Sequence, residues 1–140
     1  MLVIYVAGPF RGPTQWDIAE NIRAAERIGL LVALAGAMPL IPHANTAHFH
    51  GQRDAQFWLD GTLELLRRSN GAVFIPGWRK SSGSIGEFRE AGRLFIPRLQ
   101  LDDYHEDAFR NEIVSFVNRL SHDQEQKSEE QRAAVQAAGH

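Results

Sequence analysis

Short apolar segments alternate with longer helical patterns along most of this 140-residue chain. Residues 2–7 are all β-branched, aromatic or aliphatic and stop at a Gly-Pro pair, which is typical of a strand that is buried on both faces of a sheet. Similar runs at 38–42, 72–76 and 94–97 predict three more strands, and the prolines of the first of these runs favour an edge position or a strand end. This order predicts a parallel sheet with right-handed crossovers.

Four helical patterns follow the four strands. Thr14 and Asp17 predict the start of the first helix, because both side chains can bond free backbone N–H groups, and Gly36 predicts its end. The second pattern runs from 54 to 68 and the third over 84–93. The fourth is an apolar stripe at helical spacing, formed by Phe109, Ile113, Phe116, Val117 and Leu120. The predicted fold class is α/β: a three-layer flavodoxin or Rossmann-like domain with a four- to five-stranded parallel sheet and helices on both faces.

Length and composition indicate one compact domain, which we place at 1–120. Residues 121–140 carry Gln, Glu, Lys and Ala with almost no large apolar side chain, so we expect a polar tail that is either a frayed helix or disordered. The first apolar run is far shorter than the roughly 20 residues that a membrane span requires, and we interpret it as a buried strand.

Charge and cysteine content exclude several functions. The formal net charge of −2 and the pI of about 6.3 give no general attraction to polyanions, so we expect neither a nucleic acid polymer nor a membrane as partner. A small molecule is the expected ligand. The chain has no cysteine, which excludes a thiolate nucleophile and a cysteine metal site and is compatible with a cytoplasmic location.

A small-residue loop follows the third strand and leads to a single carboxylate. This loop, at 77–86, contains Ser81 and Gly83, and Glu87 comes directly after it. Open α/β sheets bind small ligands at the carboxyl ends of their strands, so Glu87 is the candidate nucleophile. The alternative is a structural capping box formed by Ser84 and Glu87. In either role, we expect the macrodipole of the helix to keep the carboxylate ionised.

A second glycine-flanked loop follows the first strand and consists of Gly8, Pro9, Phe10, Arg11 and Gly12. The two loops should lie side by side, because the first and third strands are neighbours in the usual doubly wound order. Arg11 would then chelate a phosphate, with hydroxyls from Ser81 and Ser82 and a close backbone approach at Gly83. The alternative, left open by local composition, is that Arg11 is a solvated turn residue and that the serines and glycines only form the loop.

Histidines and tryptophans are further candidates for the site. His43, His48 and His50 lie in a polar loop predicted at 43–52, but their spacing matches no standard metal pattern, so we predict loop or substrate-rim histidines and no metal or cofactor. Trp78 lies in the glycine loop and is the expected ligand contact, whereas Trp58 lies on an apolar helical face and is expected in the core.

Asp60 and Glu64 are one helical turn apart and precede the third strand. A second carboxyl group near Glu87 could protonate a leaving group. The alternative is that both are solvated charges on the helix surface.

The two loops together resemble the nucleoside 2-deoxyribosyltransferase superfamily, and most closely its small branch of nucleoside 5′-monophosphate N-glycosidases. The motifs that carry the resemblance are Tyr5-x-x-Gly8-Pro9-Phe10-Arg11-Gly12 and Gly77-Trp78-x-x-Ser81-x-Gly83-x-x-x-Glu87-x-x-x-Ala91. The resemblance covers roughly residues 2–97 and excludes the tail.

The resemblance implies hydrolysis of a nucleoside 5′-monophosphate, or transfer of its sugar to a second base. It implies that Glu87 attacks C1′ of the sugar, that Tyr5 holds Glu87, and that Arg11 and Ser81 contact the 5′-phosphate. It also implies a homo-oligomer.

The chain departs from the family pattern at the general acid. Asn70 and Thr62 stand at or nearest the positions where the family usually carries aspartates, which leaves Asp60 as a displaced candidate acid. A degenerate acid would also fit a protein that binds nucleotides without cleaving them.

Overall fold

A computed structural model of the chain describes residues 1–102 and 105–139. Its four strands, all parallel, are β1 (Val3–Ala7), β2 (Met38–Leu40), β3 (Gly71–Phe74) and β4 (Arg98–Gln100), and they form one sheet in the order β2-β1-β3-β4. β1 and β3 are central neighbours, as predicted, and β2 occupies one edge. The proline-containing strand can sit at the edge because its missing N–H interrupts no central ladder.

Within the described residues, five α-helices accompany the sheet: α1 (Gln15–Leu34), α2 (Pro42–Asn45), α3 (Ala55–Arg67), α4 (Ser82–Arg93) and α5 (Glu106–Ala138). α1 begins with the predicted cap, in which the Thr14 hydroxyl accepts from the Asp17 N–H and the Asp17 carboxylate accepts from the Thr14 N–H. The one-turn helix α2 opens the segment that was predicted as a polar loop, because Pro42 is preorganised for the first helical position.

Two separate hydrophobic clusters cover the two faces of the sheet. Ile4, Val6 and Val73 point to one face and pack with residues of α1 and α5, whereas Tyr5 and Phe74 point to the other face and pack with residues of α3 and α4. This alternation follows from the two-residue period of a strand. The predicted three-layer, Rossmann-like α/β fold is therefore confirmed, and Tyr5 lies in the same layer as α4.

The start of the fourth strand was predicted too early. Leu94 ends α4, Phe95 has a left-handed φ of +57°, and the N–H groups of Phe95 and Ile96 bond the carbonyls of Gly92 and Ala91. This pattern is a Schellman motif, which closes a helix and reverses the chain. The residues at 94–97 thus form a turn, and β4 begins at Arg98.

α5 is a continuous helix of 33 residues, roughly 50 Å long. Its first half packs on the sheet through Phe109, Ile113, Phe116 and Leu120. Its described residues after 121 are all exposed. Within the described part of the chain, no helix combines the length and the apolar character that crossing a membrane requires.

Candidate active site

The two loops lie side by side at the carboxyl ends of β1 and β3. The N–H of Ile75 bonds the carbonyl of Ala7 at 2.9 Å, which extends the pairing of the two strands to the start of both loops. A Cβ at Gly8 would lie 2.4 Å from Cγ1 of Ile75, so only glycine fits at this close approach. A Cβ at Gly77 would lie 3.9 Å from Cγ of Pro9, which places the second loop in van der Waals range of the first.

Glu87 projects from α4 toward Tyr5 of β1. Burial is the main influence on this carboxyl group and raises its pKa to about 7, while a hydrogen bond from the Tyr5 hydroxyl acts in the opposite direction and favours the anion. The side chain of Glu87 is partly accessible, but its Oε2 is buried without a hydrogen-bond partner. The pKa of Tyr5 is raised well above its ordinary value, first by burial and then by the charge of Glu87.

The expectation of a carboxylate kept ionised by the helix is therefore wrong. Desolvation of the charged form outweighs the hydrogen bond from Tyr5, so the carboxyl group keeps its proton to a higher pH than an ordinary glutamate does. The predicted capping box is also wrong, because Ser81 is the cap of α4 and its hydroxyl accepts from the N–H of Ser84 at 3.2 Å. Glu87 consequently lies in the second turn of α4, and it is free for a role other than capping.

The first loop presents one free cation. Arg11 is exposed, and its guanidinium makes no ion pair or hydrogen bond with the described residues. The loop itself is fixed, since Asn21 of α1 donates to the carbonyls of Phe10 at 3.1 Å and Arg11 at 3.3 Å. Gly12 is required sterically, because a Cβ there would lie 2.5 Å from Cβ of Asp17. The sequence alone gave no role for Asn21, which bonds backbone atoms of the loop.

The second loop presents backbone donors at the start of α4. The N–H groups of Ser82 and Gly83 bond no acceptor among the described residues, as is usual for the first turn of a helix. A Cβ at Gly83 would meet only Ser81 Oγ at an ordinary 3.8 Å, so packing within the chain does not require glycine there. Free N–H groups at the positive end of a helix, with a small residue among them, suit the close approach of an anion.

Unsatisfied buried polar atoms gather at this edge of the sheet. Among the described residues, the buried side-chain atoms without a hydrogen-bond partner are His43 Nδ1, Trp78 Nε1, Ser84 Oγ and Glu87 Oε2. All four belong to segments that follow the carboxyl ends of β2 and β3. Folded proteins leave few such atoms, and each of the four needs a bond from a ligand or from water.

His43, which was expected to be a loop or substrate-rim histidine, lies in α2 and is buried. Its Nε2 lies 2.8 Å from the carbonyl of Gly8, and its ring meets Phe10 edge-on at 5.6 Å. Burial lowers the pKa of His43, so the ring is neutral and donates from Nε2 to the loop. His48 and His50 are exposed. No group of three or more His, Asp or Glu side chains in the described ranges is arranged to hold a metal ion.

Neither tryptophan lies in the environment that was expected for it. Trp78 is buried, stacks on Phe88 with ring centroids 4.6 Å apart and packs against Phe74 at 5.3 Å. Trp58 is only partly buried and belongs to neither hydrophobic cluster, so the expectation that it lies in the core is wrong. It lies in the first turn of α3, whereas the α3 residues that pack in the cluster, such as Leu66, lie in the second half of the helix.

The candidate acids do not reach Tyr5. Asp60 is exposed and accepts from Gln56 at 2.7 Å, and it lies two residues before Thr62, whose hydroxyl interacts with that of Tyr5. Residues two apart point to different sides of a helix, so Asp60 faces away from the site. Glu64 is likewise exposed.

Glu64 and Asn70, the other two residues near the expected general acid, have structural roles. Glu64 accepts hydrogen bonds from Arg68 at 3.0 Å and from Arg67 at 3.4 Å. It is therefore a solvated charge on the helix surface, as the alternative prediction stated. Asn70 lies at the opposite end of the strands from the two loops. Its Oδ1 accepts a hydrogen bond from the N–H of Val3 at 2.8 Å. Because the strands are parallel, Asn70 lies at their amino ends and cannot serve chemistry at Glu87.

Comparison with protein-family models gave no match, and comparison with curated proteins gave none either. The site combines a buried carboxyl group with a raised pKa, a tyrosine that stabilises its anion, an arginine without a partner among the described residues, and a helix N-terminus. Such a set can attack an electrophilic carbon in a ligand that also carries an anionic group.

Proposed function

We propose that the protein hydrolyses the N-glycosidic bond of a nucleoside 5′-monophosphate and releases the free base and (deoxy)ribose 5-phosphate. The observation that carries the proposal is the pair formed by the Tyr5 hydroxyl of β1 and the Glu87 carboxyl group of α4. A buried carboxylate held by a tyrosine is suited to displacement at C1′, where the transition state resembles an oxocarbenium ion. The motif resemblance, which includes both residues, points to the same reaction.

Phosphate binding is assigned to Arg11, Ser81 and the first turn of α4. Arg11 has no anionic partner within the described chain, and the helix start offers free N–H donors. A fork of guanidinium donors and a helix N-terminus are both preferred phosphate ligands. This assignment favours nucleotides over nucleosides as substrates.

The reaction proceeds by two displacements. A carboxylate oxygen of ionised Glu87 forms a bond to C1′ while the bond from C1′ to the base nitrogen breaks, and the base leaves with the electron pair. Water then attacks C1′ and loses a proton to solvent, while the bond from C1′ to the Glu87 oxygen breaks and Glu87 leaves as the carboxylate, so the sugar keeps its configuration. Since Asp60 and Glu64 face away from Tyr5, the base takes its proton from solvent.

A non-catalytic nucleotide-binding module is the second candidate. It is favoured by the position beside the Tyr5 hydroxyl, which is occupied by Thr62 and not by a carboxyl group that could protonate the base. In that case Glu87 and Arg11 would contribute to affinity alone.

The test is release of free base from a panel of ribo- and deoxynucleoside 5′-monophosphates. We expect the parent protein to cleave members of the panel and Glu87→Gln, which keeps the shape of the side chain, to lose cleavage. Intact-mass spectrometry of acid-quenched samples should detect the sugar phosphate bound to the parent and not to the variant. Added free base would divert the product to a new nucleotide if the enzyme catalyses transfer. Binding without cleavage by the parent would instead establish the binding module.

A further inference from the structure

Three aromatic side chains form a half-exposed cluster between α2 and the first turn of α3. Phe49 and Phe57 are 49% and 42% exposed, and both contact Trp58, with ring centroids 6.0 Å and 5.0 Å away. Arg53 covers part of this cluster, with its guanidinium carbon 3.8 Å from the ring centroid of Phe57. We call Phe49, Phe57 and Trp58 the aromatic rim.

The aromatic rim does not stabilise either core of the domain. None of its three members belongs to the hydrophobic clusters on the two faces of the sheet. Adjacent large apolar side chains that stay open to solvent commonly mark a binding surface.

The rim lies at the same edge of the sheet as Glu87. α3 ends at Arg67, close to the amino end of β3, where Asn70 bonds Val3. The helix therefore runs opposite to the strands, and its first turn, which contains Trp58, lies at their carboxyl ends.

Three side chains, each four residues from the next, lie along one face of α3 between the core and the aromatic rim. Leu66 is fully buried, Thr62 lies one turn earlier with its hydroxyl against that of Tyr5, and Trp58 lies one turn earlier again. Side chains four residues apart on a helix are neighbours, with Cβ atoms about 5–6 Å apart. Because Tyr5 in turn bonds Glu87, a continuous row of side chains joins the candidate nucleophile to Trp58.

We propose that the aromatic rim, with Trp58 at its centre, binds the base of the nucleotide by stacking. This inference rests on the proposed function and names the part of the site that holds the leaving group. The phosphate would lie at Arg11 and the start of α4, the sugar at Glu87, and the base at the rim. Every purine and pyrimidine has a flat π-face, so this subsite accepts planar heteroaromatic bases of both kinds and adds affinity without reading their hydrogen-bonding edges.

The experiment separates the base subsite from the phosphate subsite. Binding is measured by calorimetry in the Glu87→Gln background, which prevents turnover, with a nucleoside 5′-monophosphate and with ribose 5-phosphate, which has no base. The variants are Trp58→Leu, which keeps apolar volume without a π-system, and Trp58→Phe, which keeps a smaller ring. Trp16→Ala is the matched control, because Trp16 is an exposed tryptophan on α1 outside the rim.

Trp58→Leu should weaken nucleotide binding roughly 10- to 100-fold, as expected for the loss of one stacked base, and leave binding of ribose 5-phosphate unchanged. Trp58→Phe should retain most of the affinity, and Trp16→Ala all of it. Circular dichroism verifies that each variant is folded, which we expect because Trp58 lies outside both cores.

Two outcomes would overturn the inference, and they differ in what they mean for the enzyme. If Trp58→Leu binds the nucleotide as tightly as its background while Arg11→Ala weakens it, the rim is not the base subsite and the proposed function stands. If the background protein and the parent bind no nucleotide of the panel, the proposed function fails and the base subsite fails with it.

Discussion

The hydroxyl of Tyr5 in β1 donates a hydrogen bond to the carboxylate of Glu87 in α4. The bond crosses from the central sheet to one helical layer and joins residues 82 positions apart in the sequence. It opposes the effect of burial on Glu87, which favours the protonated form. The reactivity of the site depends on the balance between these two influences.

The rate of cleavage should depend on pH through Glu87. Because the nucleophile must be ionised and its pKa is raised to about 7, kcat/KM should fall about tenfold per pH unit well below pH 7 and level off above it. Tyr5→Phe removes a bond to the anion, so the acid limb should move to higher pH and the plateau should drop by roughly 10- to 100-fold. The measurement is kcat/KM of the parent and of Tyr5→Phe from pH 5 to pH 9. A rate that stays level down to pH 5 would contradict the raised pKa of Glu87.

Glu87 should also make the protein less stable as the pH rises. Its pKa in the folded protein, about 7, lies above its ordinary value of 4.5, so the folded state holds the proton more tightly than the unfolded state does. The resulting stabilisation is complete below pH 4.5 and is lost as the pH rises through 7, to a total of up to about 3 kcal/mol. Glu87→Gln cannot ionise and should not lose this stabilisation. In urea unfolding, its free energy of unfolding relative to that of the parent should therefore be higher at pH 8 than at pH 5.

Glu90→Gln provides a control of opposite sign for that experiment. Arg93 and then Arg67 lower the pKa of Glu90 to about 2, so this carboxylate stabilises the fold above pH 4.5 and loses its contribution as the pH falls through 2. The variant should be less stable than the parent by the same amount at pH 5 and at pH 8, and the difference should shrink only below about pH 4.5. If both variants show the same pH trend, the opposite environments of the two glutamates are not the cause.

Ser84→Ala should leave stability unchanged or raise it. The Ser84 hydroxyl is buried without a partner one turn before Glu87, so its removal costs no bond and relieves up to about 1 kcal/mol of desolvation. Ser69→Ala is the matched control, because the buried Ser69 hydroxyl donates to the carbonyl of Leu65 at 2.9 Å and its loss should cost about 1 kcal/mol. Equal losses in the two variants, measured by urea unfolding, would mean that Ser84 has a partner in solution.

Much of the fold follows from local chemistry that the sequence displays. The apolar run of β1 and its Gly-Pro stop, together with the Thr14–Asp17 cap, each depend on neighbouring residues, and all are found where they were predicted. The neighbouring positions of β1 and β3, and hence of the loops that carry Arg11 and Glu87, follow from the small number of ways in which alternating strands and helices can pack.

The chemistry of the site was less predictable, because it depends on which surfaces the tertiary structure covers. Spacing alone does not show that Trp78 turns inward onto Phe88 while Trp58 stays at the rim. Nor does it show that burial raises the pKa of Glu87 more than Tyr5 lowers it. The cap of α4 was predicted at Ser84 but is Ser81. Both serines are equally good cap residues, and only the path of the loop selects Ser81.

The turn after α4 should be strained, and Phe95→Gly should relieve it. Phe95 adopts a φ of +57°, a left-handed conformation that glycine tolerates and side chains with a Cβ resist. Its ring is 92% exposed, so its removal sacrifices little packing. The variant should gain about 1 kcal/mol in unfolding free energy. Leu94→Gly is the control, because Leu94 has an ordinary φ of −92° and glycine there adds only unfolded-state entropy. A loss of stability in Phe95→Gly comparable to that in Leu94→Gly would mean that Phe95 makes a stabilising contact in solution, for instance with a second copy of the chain.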